Sequence, residues 1–193
     1  MALVGRATAS PGPARGAARC AVCSCGSASA GRRGEAAAQW LCRRATQRAQ
    51  RISDRARGTQ FYATHLSFED LEEPAASSFE FADRGRERVE GVACRKIEAR
   101  ARYASNYDKR LLWVDDDRMV ILQIENFREG RLLKRIKALD HRRVQGVWTP
   151  GRLQVEDLDK GGRTIVTLED PSYDVDLPAS RFTREALAAG GYD

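Results

Sequence analysis

Apolar and polar residues alternate with a two-residue period from about Ser78 to Asp176, the pattern of strands that bury one face. Turn clusters divide this stretch. Asp115-Asp116-Asp117, Arg128-Glu129-Gly130 and Asp159-Lys160-Gly161-Gly162 gather residues that tolerate positive φ or bond their own backbone. Between them the pattern predicts strands over Lys109 to Val114, Met119 to Phe127, Arg131 to Asp140, Gln145 to Asp157 and Arg163 to Asp170. Ser78 to Ala82 and Arg88 to Arg102 precede them. Strand following strand gives a large antiparallel sheet and leaves no room for the strand-helix-strand alternation of nucleotide-binding enzymes.

The same period sorts the side chains into two faces. Leu111, Trp113, Leu122, Ile124, Leu132, Ile136, Ala138, Val147, Leu153, Val155, Val166 and Leu168 form the apolar parity. Gln123, Glu125, Arg135, Lys137, Gln154, Glu156, Thr167 and Glu169 lie on the other, with Ile121 and Leu133 among them. A sheet this wide must curl around its apolar face, pack a second layer on it or hold a hydrophobic ligand against it. The chain offers little cover. After the last strand it predicts one short helix, with Thr183 as N-cap, Glu185 in the first turn, Leu187 inward and Gly190-Gly191 as the stop.

Charge changes the picture only when counted by segment. The formal net charge is +6, but residues 1–58 hold eleven Arg against two acids, which leaves −3 for the remainder. The sheet region is mildly acidic, unlike a sheet that binds phosphate backbones. Residues 1–38 are rich in Ala, Gly, Arg and Ser without apolar periodicity, and a segment of this kind is expected to be disordered. No apolar stretch of signal-peptide type follows its first basic residue.

Candidate chemistry is sparse. Cys20, Cys23 and Cys25 give three thiolates where a structural zinc site takes four ligands, and only Cys42 and Cys94 remain. Neither a metal nor another cofactor is expected. His65 and His141 are the only histidines, and no nucleophile elbow, zinc-protease helix or phosphate-binding glycine loop accompanies them. Glu69, Asp70, Glu72 and Glu73, like Asp115 to Asp117, read as solvated turns rather than paired catalytic carboxylates. Trp113, Phe127 and Trp148 read as cross-strand or core packing rather than stacking platforms for bases or sugars.

Order along the chain adds a resemblance. Arg51-Ile52-Ser53, Phe61, Thr64 and Phe68-Glu69-Asp70 are followed by Trp113-Val114-Asp115, Glu125-Asn126-Phe127, Gly130 and Leu133-Lys134. Gly146-Val147-Trp148-Thr149-Pro150, Gly162-Arg163-Thr164, and Phe182-Thr183 with Leu187 complete the series. Over residues 39–190 the chain resembles the LolA-like outer-membrane lipoprotein-sorting proteins. The resemblance implies an open antiparallel half-barrel, with helices plugging its apolar concave side. It also implies non-catalytic binding of lipid acyl chains or lipoproteins in the periplasm or cell envelope, with an envelope membrane transporter as a further partner and no nucleic acid. The groove expected on this reading is lined by Trp113, Leu122, Ile124, Ile136, Val147, Val155, Val166 and Leu168.

The start departs from that family, whose members carry a secretory signal, a long helix and the first strands ahead of the region matching Arg51 to Asp70. Residues 1–38 read as translation of GC-rich DNA in an unsuitable frame or from an unsuitable start, so residues 39–190 are expected to be the later part of the domain. Three other classes stay open on the residues alone: a carbohydrate-active hydrolase, a nucleic-acid-binding module using the Arg-rich first segment, and a structural module that binds no lipid.

Overall fold

A computed structural model describes residues 3–11, 39–43, 48–72 and 74–189. In chain order the strands are β1 (Leu3–Pro11), β2 (Trp40–Arg43), β3 (Arg48–Arg51), β4 (Phe79–Val89), β5 (Val92–Ala101) and β6 (Lys109–Asp115). They continue as β7 (Val120–Arg128), β8 (Arg131–Leu139), β9 (Arg142–Val144), β10 (Val147–Thr149), β11 (Arg152–Asp157) and β12 (Arg163–Tyr173). Eight form one sheet in the order β1-β12-β11-β8-β7-β6-β5-β4, with β2-β3 and β9-β10 as separate hairpins. All pairings are antiparallel. The sheet is mainly made of consecutive hairpins and does not close, which is the open half-barrel the strand pattern and the resemblance lead one to expect.

β4 runs on to Val89 where the pattern ended the strand at Ala82, and three further differences from the sequence pattern stand out. Arg88 to Arg102 is interrupted by a hairpin turn at Glu90-Gly91, where φ is +49° and +82°. Two successive positive φ values match the twist of the flanking strands, and glycine takes the second without strain. With Glu rather than Asn or Asp before it, this glycine passes for a strand residue. Gln145 to Asp157 divides into β10 and β11, because Pro150 has no amide to donate and Gly151 N–H turns back to Leu139 O (3.0 Å). Finally, Leu3–Pro11 lies in the segment expected to be disordered, yet it is a strand paired along β12 from Leu3↔Tyr173 to Pro11↔Thr164. A backbone ladder can form without a side-chain pattern, and it gives the amides of β12 their partners. Cys20, Cys23 and Cys25 lie outside the described residues.

Both sheet faces carry a core. On one, Phe61 and Leu66 cover the fully buried Val155, with Phe68, Leu71, Ile136 and Val166 packed around them. The covering layer is the segment 53–72, called the strap below. It is built from the 3₁₀ turns Asp54–Ala56 and Glu69–Leu71 around a bridge between Gln60 and Ser67. On the other face Val89, Cys94, Trp113 and Leu122 form a smaller cluster.

The predicted terminal helix is α1 (Arg184–Ala189), with Leu187 buried and Glu185 in its first turn. Its Ala186 N–H donates to Thr183 Oγ1 (3.1 Å), the bond expected of an N-cap threonine. It packs on β2 and β3, while Gly190 and Gly191 lie outside the described residues.

Candidate functional site: an apolar row beside a latched strap

Directly opposed residues in neighbouring strands share a face, so the ladder register assembles the site row by row. One row on the strap face runs Ile97, Leu112, Ile124, Ile136, Val155 and Thr164 across β5, β6, β7, β8, β11 and β12. The strap seals the Ile136–Val155 end. Ile97, Leu112 and Ile124 stand outside that cluster and are only half-buried. Beside them Phe81 is 52% exposed and Ile121 is 40% exposed, and the register sets both on this same face. An apolar half-face therefore lies open next to a covered one.

Two residues further along each strand, the adjacent row reads Ala99, Arg110, Asn126, Lys134 and Asp157. Its polar members hold the strap. Glu69, 1% exposed, accepts from Asn106 N–H (2.9 Å), Asn106 Nδ2 (2.7 Å), Arg110 (2.9 Å) and Ser105 Oγ. Asp70 accepts from Ser67 N–H (2.7 Å), Tyr107 Oη (2.8 Å), Asn126 Nδ2 (3.3 Å) and Lys134 Nζ (2.6 Å). Glu72 takes the Arg57 guanidinium on both oxygens, and Arg57 also reaches Ala104 O (3.0 Å). Burial, and then Asp70, pushes the Tyr107 hydroxyl far above the usual tyrosine range.

These carboxylates are buried rather than solvated, which corrects the reading of the acidic run as a solvated turn. Each is saturated by donors of the protein, and a buried carboxylate persists only when paired in this way. Glu73 lies outside the described residues. Gly58 completes the latch: a Cβ there would come within 2.7 Å of three Asn106 side-chain atoms, and Glu69 holds that amide in place. Asp115, by contrast, serves its turn, accepting from Asp117 N–H (3.0 Å) and Arg118 N–H (3.3 Å). Asp116 pairs with Arg86 and Arg95.

The eight residues expected to line one groove do not all meet. Ile124, Ile136 and Val155 share the apolar row, and Val166 and Leu168 follow on the same face of β12. Val147 stands on the β9-β10 hairpin, which forms a two-stranded sheet of its own. Trp113 and Leu122 belong to the opposite face, packed with Val89 and Cys94. The reason is register: β6 presents Leu112, not Trp113, opposite Ile124, and β7 carries an extra residue against Trp113/Val114. On that opposite face Lys96 Nζ lies 4.8 Å from the Trp113 ring centroid, and Arg135 joins Glu125 (2.9 Å) to Glu156 (3.8 Å).

Two cavities flank these features. One of about 160 Å³ opens between the strap, the ends of β7, β8 and β11 and the turn after β11, with His65, Lys134 and Lys160 in its wall. The other, about 220 Å³, lies on the opposite face by Val89, Leu122 and His141. Burial, and then Arg118, pushes the His141 imidazole below the usual histidine range. Among the described residues no group of His, Cys, Asp and Glu is arranged to hold a metal ion, and no helix is long and apolar enough to cross a membrane. The latching residues Ser67, Tyr107, Arg110 and Lys134 escape the sequence reading. Their signal is polar residues at positions 110, 126 and 134, which fall on the apolar face once the register is known.

An open antiparallel sheet with a covering strap on one face defines a LolA-like architecture. A family model described as "Uncharacterized protein" matches residues 29–189, and the chain belongs to that family. Its fold is shared by a domain described as an outer membrane lipoprotein-sorting protein from Vibrio parahaemolyticus, with TM-score 0.74 and 23% identity over 78% of this chain and 66% of that one. A DUF1329 family protein from Desulfovibrio piger gives TM-score 0.74 and 25% identity over 78% of this chain and 64% of that one. A LolA superfamily protein from Nitrosomonas europaea gives TM-score 0.61 and 22% identity, covering 76% and 66%. The chain thus spans a little under two-thirds of the length of each. No curated protein matches it.

Proposed function

We propose that this protein binds acyl chains of a lipid or lipoprotein along Ile97, Leu112 and Ile124, as a non-catalytic carrier in the cell envelope. The observation behind this reading is the half-open apolar row. The strap encloses one end of it, while Ile97, Leu112, Ile124, Ile121 and Phe81 leave the other end accessible. An acyl chain laid there leaves water at about 0.8 kcal/mol per buried methylene, enough for reversible loading without a chemical step. Two of the structural relatives are described as a lipoprotein-sorting domain and a LolA superfamily protein, which supports the same class of cargo and an envelope setting.

The test is displacement titration of a fluorescent fatty acid from the full chain. Leu112→Glu and Ile124→Glu place a carboxylate in the row, and each should weaken binding at least tenfold, about 1.4 kcal/mol. Gln154→Glu, on the opposite face, should leave it unchanged. Equal affinity in all three variants and the parent would remove this assignment.

A further inference from the structure

We propose that the cavity between the strap, the ends of β7, β8 and β11 and the turn after β11 is a binding site for a phosphate-class anion. Its volume is about 160 Å³, and Arg128, Lys134, Lys160, His65 and Ser67 stand in its wall together with Asp157 and Asp159. The charges resolve by partner. Lys134 is committed to Asp70 (2.6 Å) and Asp159 to Arg131 (2.6 Å). Asp157 is occupied by the turn amides of Asp159 (3.1 Å) and Lys160 (2.8 Å). Arg128 and Lys160 have no carboxylate partner among the described residues, so two cations against Asp157 leave the cavity net positive.

A neutral donor adds to them. Thr164 is fully buried, and its Oγ1 accepts the His65 backbone N–H (2.9 Å) while lying 2.8 Å from His65 Nδ1. The hydroxyl proton of Thr164 has Nδ1 as its acceptor among the described residues, which places the imidazole proton on Nε2. Gly162 lets the ring approach the backbone closely, since a Cβ there would lie 2.5 Å from Nε2. A guanidinium, an ammonium and an imidazole in the wall of one small cavity form the donor set that tetrahedral oxyanions take. Ile97, Leu112 and Ile124 do not line this cavity, and the proposal does not depend on acyl binding.

Calorimetric titration of the full chain with inorganic phosphate, at constant ionic strength set by chloride, tests the site itself. A parallel titration with dihexanoyl phosphatidylglycerol, below its micellar concentration, distinguishes a lipid headgroup from a free anion as the source. Arg128→Ala and Lys160→Ala remove exposed side chains and should keep the fold. Each should weaken phosphate about tenfold, the scale of one charge-assisted hydrogen bond, while fatty-acid displacement stays unchanged. The His65 ring resonances should shift on phosphate addition in the parent. Tighter binding of the phospholipid than of phosphate assigns the site to a headgroup; equal binding assigns it to the free anion, and both uphold the site. Absence of any phosphate-dependent heat, or equal affinity in the variants and the parent, overturns it.

Discussion

At the residue scale, the strap depends on buried polar groups whose alternatives are worse than their bonds. Tyr107 illustrates this with a sign that can be worked out. Its hydroxyl donates to Asp70 (2.8 Å), and burial beside that carboxylate raises its pKa. The unfolded chain releases this proton near pH 10, at the ordinary tyrosine value, whereas the native state retains it. Tyr107 therefore contributes stability fully below about pH 10, and the contribution declines above it by up to about 1.4 kcal/mol per pH unit. Tyr103, raised chiefly by burial, adds in the same direction. Urea midpoints measured from about pH 9 to 11.5 should fall more steeply for the parent than for Tyr107→Phe; parallel curves would show that Tyr107 carries no linked proton.

At the scale of elements, the strap is a covering layer without a helix or a strand of its own. Phe61 and Leu66 cap Val155, and the turns around them close through Phe61 N–H to Leu66 O (2.7 Å) and Glu69 N–H to Arg57 O (2.8 Å). Phe61→Ala should cost about 3–5 kcal/mol, the range for truncating a buried aromatic, read as a lowered urea midpoint with an unchanged slope. A cost below about 1 kcal/mol would mean that the strap collapses onto the sheet without this ring.

The contrast with the strands explains what could be read in advance. Strands such as β8 and β12 and the turn at Glu129-Gly130 were legible, because a two-residue period and a turn glycine are local signals. The strap's covering role was not, since its short 3₁₀ turns have no period. Nor was the side chosen by Trp113, because a single extra residue in β7 alters the pairing without altering composition. The acidic run Glu69-Asp70 was visible as charge but not as burial. Its partners Arg110 and Lys134 lie 41 and 64 residues away in sequence.

At the scale of the whole molecule, an open sheet must keep its last strand from recruiting another chain. Among the described residues β4 is such an edge. It carries Arg84, Arg86 and Arg88, and its register shifts between Asp83 and Arg86. Charges and a bulge are both known devices against edge-to-edge pairing. The double substitution Arg84→Val with Arg86→Val should produce concentration-dependent light scattering that the parent lacks. Flat scattering in the variant would place the protection elsewhere.

The surplus residue of β7 has a consequence for comparing family members. Leu122 is skipped by the pairs Trp113↔Gln123 and Val114↔Ile121, so excising it leaves every remaining partner across β6 where it stands. Homologues should therefore vary in length at this point inside a strand, where an alignment gap is least anticipated. Those lacking the residue should fill the space beside Cys94 with a bulkier neighbour.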